Sequence, residues 1–253
     1  MVGFDERFFP RHIFPDDIFI VSYPKSGNTW LRFLIGNALT GNQCDFSNLR
    51  KVIPDIYRNR ADCDDLSRPR MMKTHLPYSP KMRRAIYLVR DGRDVAVSYY
   101  YHLLKKERLD QRTTFDEYLS LFTQGLIAPR LGSWNSHTLS WLDHLSPNIL
   151  LVMYENLKKD TAHELEQILS FLGLQRSHDE IAAAVAASDF ERMKTLEQQQ
   201  SALYHDFANT NQGIAFVRAG QAGEWAKYFS EQASQDFIAR HGEALRRLHY
   251  IAA

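Results

Sequence analysis

The chain has 253 residues, 44% of them hydrophobic and 24% charged, with a formal net charge of +1. This length suits one α/β domain over 1–253, and the apolar content suffices for a buried core. The near-neutral balance argues against nucleic acid or an anionic membrane as the main partner, while local basic clusters could still bind a small anion.

From the N-terminus, Met1-Val2-Gly3-Phe4-Asp5-Glu6-Arg7 lacks the basic start and apolar centre of a secretory leader. No apolar run approaches the roughly 18 residues that span a bilayer. Cys44 and Cys63 are too few for a disulfide framework or a zinc site, which predicts a reducing, cytoplasmic setting. The first strand is expected over Ile18–Tyr23, an apolar run of the kind buried at the centre of a sheet. Pro24 ends it, Gly27 permits a tight loop, and Trp30 to Ile35 begin a helix with Gly41 as its C-cap. Strand, loop and helix N-terminus form an anion site, because free amides and the positive end of the helix dipole face the loop. Lys25 adds a full charge, and Ser26, Asn28 and Thr29 add donors. A nucleoside-triphosphate loop carries its lysine after the last glycine of G-x-x-x-x-G-K-[ST], whereas Lys25 precedes Gly27. The loop is P-loop-like without the usual ATP signature.

Further strands are expected at Arg70–Thr74, Ala85–Val89 and Ile149–Tyr154, with a fifth near Val52. Helices are expected over 94–106, 115–126, 134–145 and 234–248. Thr161-x-x-Glu164 and Ser177-x-x-Glu180 match the capping-box pattern. Strands alternating with helices predict a three-layer α/β fold, a mostly parallel central sheet flanked by helices. The polar stretch 198–213 reads as a long loop, either a lid or a surface excursion.

Ligands of open α/β sheets bind beyond the carboxyl ends of strands, where Lys73-Thr74-His75-Leu76-Pro77 lies. Arg90 ends the next strand candidate and Ser98 follows eight residues later; a guanidinium and a hydroxyl converging there suit a phosphate monoester. Arg93 and Asp94 read as a surface pair capping the helix. Of Tyr99 to Tyr101, part must be core, with Tyr100 or Tyr101 available to an acceptor pocket. A final motif runs from Phe216 to Trp225, with Trp225 expected in the core.

Taken together, Tyr23-Pro24-Lys25-Ser26-Gly27-Asn28-Thr29-Trp30 resembles the 5′-phosphosulfate loop of sulfotransferases that use 3′-phosphoadenosine 5′-phosphosulfate (PAPS). Lys73 to Pro77 resembles the acceptor-site motif of the cytosolic members. Arg218-Ala219-Gly220-Gln221-Ala222-Gly223-Glu224-Trp225 resembles their late Arg-Lys-Gly-x-x-Gly-Asp-Trp segment, with Ala219 in place of the lysine. The resemblance implies that Ser26, Gly27, Asn28 and Thr29 hold the 5′-phosphate, and that Lys25 stabilises charge on the leaving oxygen. It assigns the 3′-phosphate of the nucleotide to Arg90, Ser98, Arg218 and Gly220, and the adenine to Trp30, Tyr154, Ser188 and Phe190. His75 would be the general base, Lys73 would touch the transferred sulfonate, and Ser98 would contact Lys25 before the acceptor arrives. The product would be 3′-phosphoadenosine 5′-phosphate (PAP), and no metal is implied. The acceptor would be a small molecule or a glycan, with Phe4, Phe8, Phe9, Tyr78, Tyr99, Tyr100 and Phe207 as aromatic material that could equally fill the core. The family's C-terminal dimer signature is absent from Ala226-Lys227-Tyr228-Phe229-Ser230-Glu231. A P-loop small-molecule kinase using ATP and Mg²⁺, and a silent PAP-binding module, are the alternative readings.

Overall fold

Strand β1 (Ile18–Ser22) is buried along its whole length, and its alternating side chains feed two separate cores. The computed structural model describes residues 9–57, 60–200, 210–211, 213–218 and 220–252. Phe19 and Val21 point into one core with Ala85, Tyr87 and Val89 of β3 (Arg84–Val89). Ile18 and Ile20 point into the other with Ile86 and Leu88. With β2 (Met71–Thr74) and β4 (Ile149–Met153), the described residues form a four-stranded sheet of order β2-β1-β3-β4, parallel throughout. This matches the expected α/β class.

Each face is covered by helices, as a parallel sheet requires. In chain order the helices are α1 (Asn28–Thr40), α2 (Leu49–Val52), α3 (Arg60–Asp64), α4 (Gly92–Lys105), α5 (Phe115–Thr123), α6 (Trp134–Leu142), α7 (Tyr154–Lys159), α8 (Thr161–Leu172), α9 (His178–Ala187), α10 (Phe190–Gln200) and α11 (Glu231–Arg247). Helices α1, α7, α8 and α9 close the Ile18 side, and α4, α5, α6 and α11 close the Phe19 side. Gly41 caps α1 at φ 63°, as its sequence position suggests.

Several local expectations need correction. Val52 lies in α2, and among the described residues the sheet edge is extended only by a single bridge between Asp55 and Lys73. The capping box at Ser177 and Glu180 forms, but Thr161 is not a cap. Asp160 takes that place, accepting from the His163 amide at 3.1 Å, while the Thr161 hydroxyl turns back to the Leu157 carbonyl. Gln198 to Gln200 belong to α10, so the expected loop begins later, and residues 201–209 and 212 lie outside the described ones. Arg93 and Asp94 are no surface pair. Both are buried: Arg93 pairs with the N-cap Asp91 at 2.7 Å, and Asp94 accepts the Gly223 and Trp225 amides.

The chain steps from β1 to β2 on one side, then crosses to β3 on the other. Such a reversal opens a crevice at the carboxyl edge, the general ligand position of open α/β sheets.

Candidate active site

The loop between β1 and α1 lies at that crevice. Lys25 and Gly27 adopt left-handed backbone, φ 73° and 100°. For a lysine this is an uncommon, costly conformation of the sort stored at functional loops. Gly27 is required twice over, because a Cβ there would also lie 2.7 Å from the Tyr154 ring. Gly27 is the N-cap of α1 without a side-chain cap, so the amides of the first turn remain available to a ligand. The Ser26 hydroxyl is buried without a hydrogen-bond partner among the described residues, while Asn28 Nδ2 donates to the Ser22 hydroxyl at 3.2 Å. Lys25 Nζ stands 4.2 Å above the Phe216 ring.

At the end of β2, His75 is oriented from three sides. Its Nδ1–H donates to the Ser22 carbonyl at 2.7 Å, which leaves Nε2 as the lone-pair nitrogen of the neutral ring. Its amide donates to the Tyr57 hydroxyl at 2.9 Å, and its carbonyl accepts from His137 Nε2 at 3.0 Å. Burial and the Lys73 ammonium hold the imidazole well below its usual range, opposed by Asp55 and the Ser22 carbonyl. His75 is therefore a neutral group at neutral pH. Lys73 is buried and paired with Asp55 at 2.7 Å.

Arg90, just beyond β3, lies 4.4 Å over the Tyr154 ring and donates to the Gln221 carbonyl at 2.7 Å. The late segment is tied down from several elements. Arg218 forms a two-pronged pair with Glu224, and Glu197 of α10 accepts the Phe216 and Val217 amides while pairing with the buried Lys105 at 3.6 Å. Gly220 has φ 61°, and a Cβ there would lie 2.5 Å from the Phe190 ring. Nε of Arg90 and of Arg218 is buried without a partner among the described residues. Trp30 Nε1 donates to the Ser188 carbonyl at 3.0 Å, setting the indole beside Tyr154.

These pieces enclose one cavity of about 280 Å³. Of the residues singled out in the sequence, Lys25, Gly27, Asn28, Thr29, Trp30, Lys73, His75, Arg90, Ser98, Tyr154, Arg218 and Gly220 line it. Ser26 sits fully buried within the same loop. Ser188 departs from expectation: its hydroxyl accepts from Asn37 at 2.9 Å inside the core, so it sets the position of Trp30 and is absent from the cleft wall. Trp225 is half-buried, not core, with the Arg93 guanidinium 3.8 Å over its ring. Phe9, Tyr78, Tyr99 and Tyr100 pack in or against the core and do not line the cleft, whereas Tyr101 reaches a small side pocket with Arg218. Phe4, Phe8, Phe207 and Ala219 lie outside the described residues.

Sequence reading missed Asp55, His102, Arg32 and Lys158, all of which line the cavity. Two carried a usable signal: His102 follows Ser98, and Lys158 follows Tyr154, by one helical turn of four residues. Asp55 and Arg32 carried none. Burial, then the charges of Lys25, Lys106 and Arg108, push His102 down to about 2.

A family model described as a sulfotransferase domain matches residues 15–249. Bovine Sulfotransferase 1E1 is 28% identical over 255 residues, which cover 92% of this chain and 84% of that protein. A crystal structure of retinol dehydratase in a complex with retinol and PAP is similar at TM-score 0.77 and 25% identity, covering 92% of this chain and 82% of the other. Mouse sulfotransferase SULT7A1 complexed with PAP gives TM-score 0.77 at 27% identity, covering 97% and 91%.

Proposed function

The chain belongs to the sulfotransferase family, and on that premise we propose how its cleft divides the labour of the reaction. The enzyme moves a sulfonate group from PAPS to a hydroxyl or amine of a small-molecule acceptor. Ser26, Gly27, Asn28 and Thr29, with the free amides of α1, take the 5′-phosphate. Arg90, Ser98, Arg218 and Gly220 take the 3′-phosphate, and Trp30 with Tyr154 borders the adenine. One observation carries this reading. The Ser26 hydroxyl and Nε of Arg90 and Arg218 are buried donors without a partner among the described residues, on elements that converge on one cleft. Buried donors are rarely left unsatisfied, so an anionic ligand that accepts from all three suits the site.

Donor PAPS supplies an activated sulfonate on a phosphate leaving group. His75 Nε2 takes the proton of the attacking acceptor atom, a role typically worth about 10² to 10⁴ in rate. Lys25 faces the charge that develops on the leaving oxygen, and Lys73 faces the transferred group. A single domain over 1–253 and a cytoplasmic setting belong to the same reading. They are supported by the span of the family match and by two buried cysteines that are not paired with each other.

Thermal unfolding with PAP, with ATP and Mg²⁺, and without ligand tests the cleft assignment. A ligand at about 100 times its Kd adds roughly 2.7 kcal/mol, a rise of about 5–10 °C for a chain of this size. PAP is expected to give that rise and ATP with Mg²⁺ much less. The reverse pattern would replace the PAPS site with a nucleoside-triphosphate site.

A further inference from the structure

Asp55 is the one carboxylate among the described residues that line a cleft otherwise rich in cations, including Lys25, Lys73, Arg90 and Arg218. A site built to hold a polyanionic nucleotide is disfavoured by a resident negative charge, so the position of that carboxylate calls for a reason. It stands at the acceptor end. The segment Pro54–Ile56 runs beside β2 as an added strand: Lys73 N–H donates to the Pro54 carbonyl at 2.8 Å, and Ile56 N–H to the Lys73 carbonyl at 3.2 Å. That bridge sets Asp55 level with Lys73. The two short runs then brace each other: Asp55 Oδ2 accepts from Lys73 Nζ at 2.7 Å, and the Tyr57 hydroxyl accepts from the His75 amide at 2.9 Å. Asp55 Oδ1 accepts the Tyr57 amide at 3.0 Å, which joins the two contacts into one unit.

We infer that Asp55 is a positioning residue of the transfer: its carboxylate fixes the Lys73 ammonium in the cleft wall and offsets that charge beside the His75 ring. The assignment rests on the reading of His75 as the base of sulfonate transfer. The groups that bear on His75 are Lys73 at the end of its own strand, Asp55 and Tyr57 from the α2–α3 segment, the Ser22 carbonyl from β1, His137 from α6 and His102 from α4. Of these, Lys73 and His137 lower its proton affinity, and Asp55 is the one carboxylate that raises it. Burial alone would raise the Asp55 carboxyl, yet the Lys73 ammonium brings it to about 2, so it stays ionised across the working range. Removing that charge would take the Lys73 ion pair away and make His75 a weaker base.

The test is the pH dependence of kcat and KM for PAPS-dependent sulfation of a chromogenic phenol. It compares wild type, Asp55→Asn, Asp55→Glu, Lys73→Ala and the Asp55→Asn/Lys73→Ala pair. Asparagine keeps the size of the side chain and its acceptor for the Tyr57 amide, and an unchanged unfolding shift with PAP verifies the fold. Asp55→Asn is expected to lower kcat about tenfold with KM for PAPS within about twofold. It also moves the acid limb of kcat/KM to lower pH. Asp55→Glu should recover most of the rate, and the asparagine penalty should shrink in the Lys73→Ala background, because the two groups act as one unit. An Asp55→Asn enzyme with wild-type kcat and an unmoved acid limb, or penalties that add in full, would overturn the assignment alone. A wild type that binds PAP yet transfers no sulfonate would instead remove the transfer reading, and the assignment with it.

Discussion

His75 shows how one side chain acquires a role from its surroundings. A histidine in water is about half protonated near pH 6.5 and would be an ambivalent base. Here the Ser22 carbonyl holds the proton on Nδ1, and burial with the Lys73 charge keeps the ring neutral well below that pH. His75→Ala is expected to abolish transfer, by at least about 10²-fold. PAP affinity should stay nearly unchanged, because the groups proposed to face PAP lie on other elements. Turnover of PAPS with a phenol acceptor, paired with the PAP-induced unfolding shift, separates the two. A clear fall in the PAP shift would make His75 a structural residue. Wild-type activity should in turn fall at acid pH as the ring gains its proton, with the limb below 6.5. At the same scale, Ser188 shows what residue matching cannot see. The family resemblance of Ser188-Asp189-Phe190 implied a serine at the adenine, but its hydroxyl turns inward to Asn37 and only its carbonyl reaches a cleft residue, Trp30.

At the scale of elements, the strand–loop–helix unit from β1 to α1 was readable because its parts are local: an apolar run, Pro24, Gly27, then a helical pattern closed by Gly41. What the sequence lacked was the partner that makes Gly27 necessary. Tyr154, at the start of α7, occupies the space a Cβ would need. Gly27→Ala is therefore expected to push Tyr154 away from Arg90 and to strain a backbone at φ 100°, lowering PAP affinity by about tenfold or more and stability by roughly 1–3 kcal/mol. Isothermal titration with PAP and urea unfolding measure both. An alanine variant with unaltered affinity and midpoint would mean that Tyr154 can move without cost. Errors at element ends have equally local causes. Asp160 displaced Thr161 as the cap because its carboxylate reaches the His163 amide while the threonine hydroxyl bonds back into the preceding turn. Val52 fell in α2 because a short apolar stretch has no period that tells strand from helix.

Across the whole molecule, acid pH should act through histidines buried by different elements. His137 on α6 and His241 on α11 are lowered from 6.5 to about 4, chiefly by burial, and His102 on α4 to about 2. A folded value below the unfolded one means that the unfolded chain takes up protons first. Stability is thus complete above about 6.5 and is lost as pH falls from there towards 4. A falling Tm over that window, followed by circular dichroism, is expected; a constant Tm between pH 7 and 4.5 would contradict it. His241 offers a second check. It is packed among Phe122, Trp134 and Phe237, and neither ring nitrogen meets a partner among the described residues. His241→Leu should make the acid decline shallower and leave neutral stability equal or higher, since it removes a buried polar group that gains nothing.

The amino-acid order alone determined the α/β class, the four strands, the anion loop and the motifs that meet at the strand ends, since each is a run of neighbouring residues whose periodicity or turn chemistry acts over a few positions. Tertiary structure decided the pairings. Asp55 reached Lys73 through a bridge at the sheet edge, Arg90 reached Gln221 across 131 residues of sequence, and His102 entered the cleft beside Lys25. Those contacts depend on strand order and on which way each side chain leaves its element. Both are set by burying the two faces of one sheet at once, a condition that no local stretch of the chain contains.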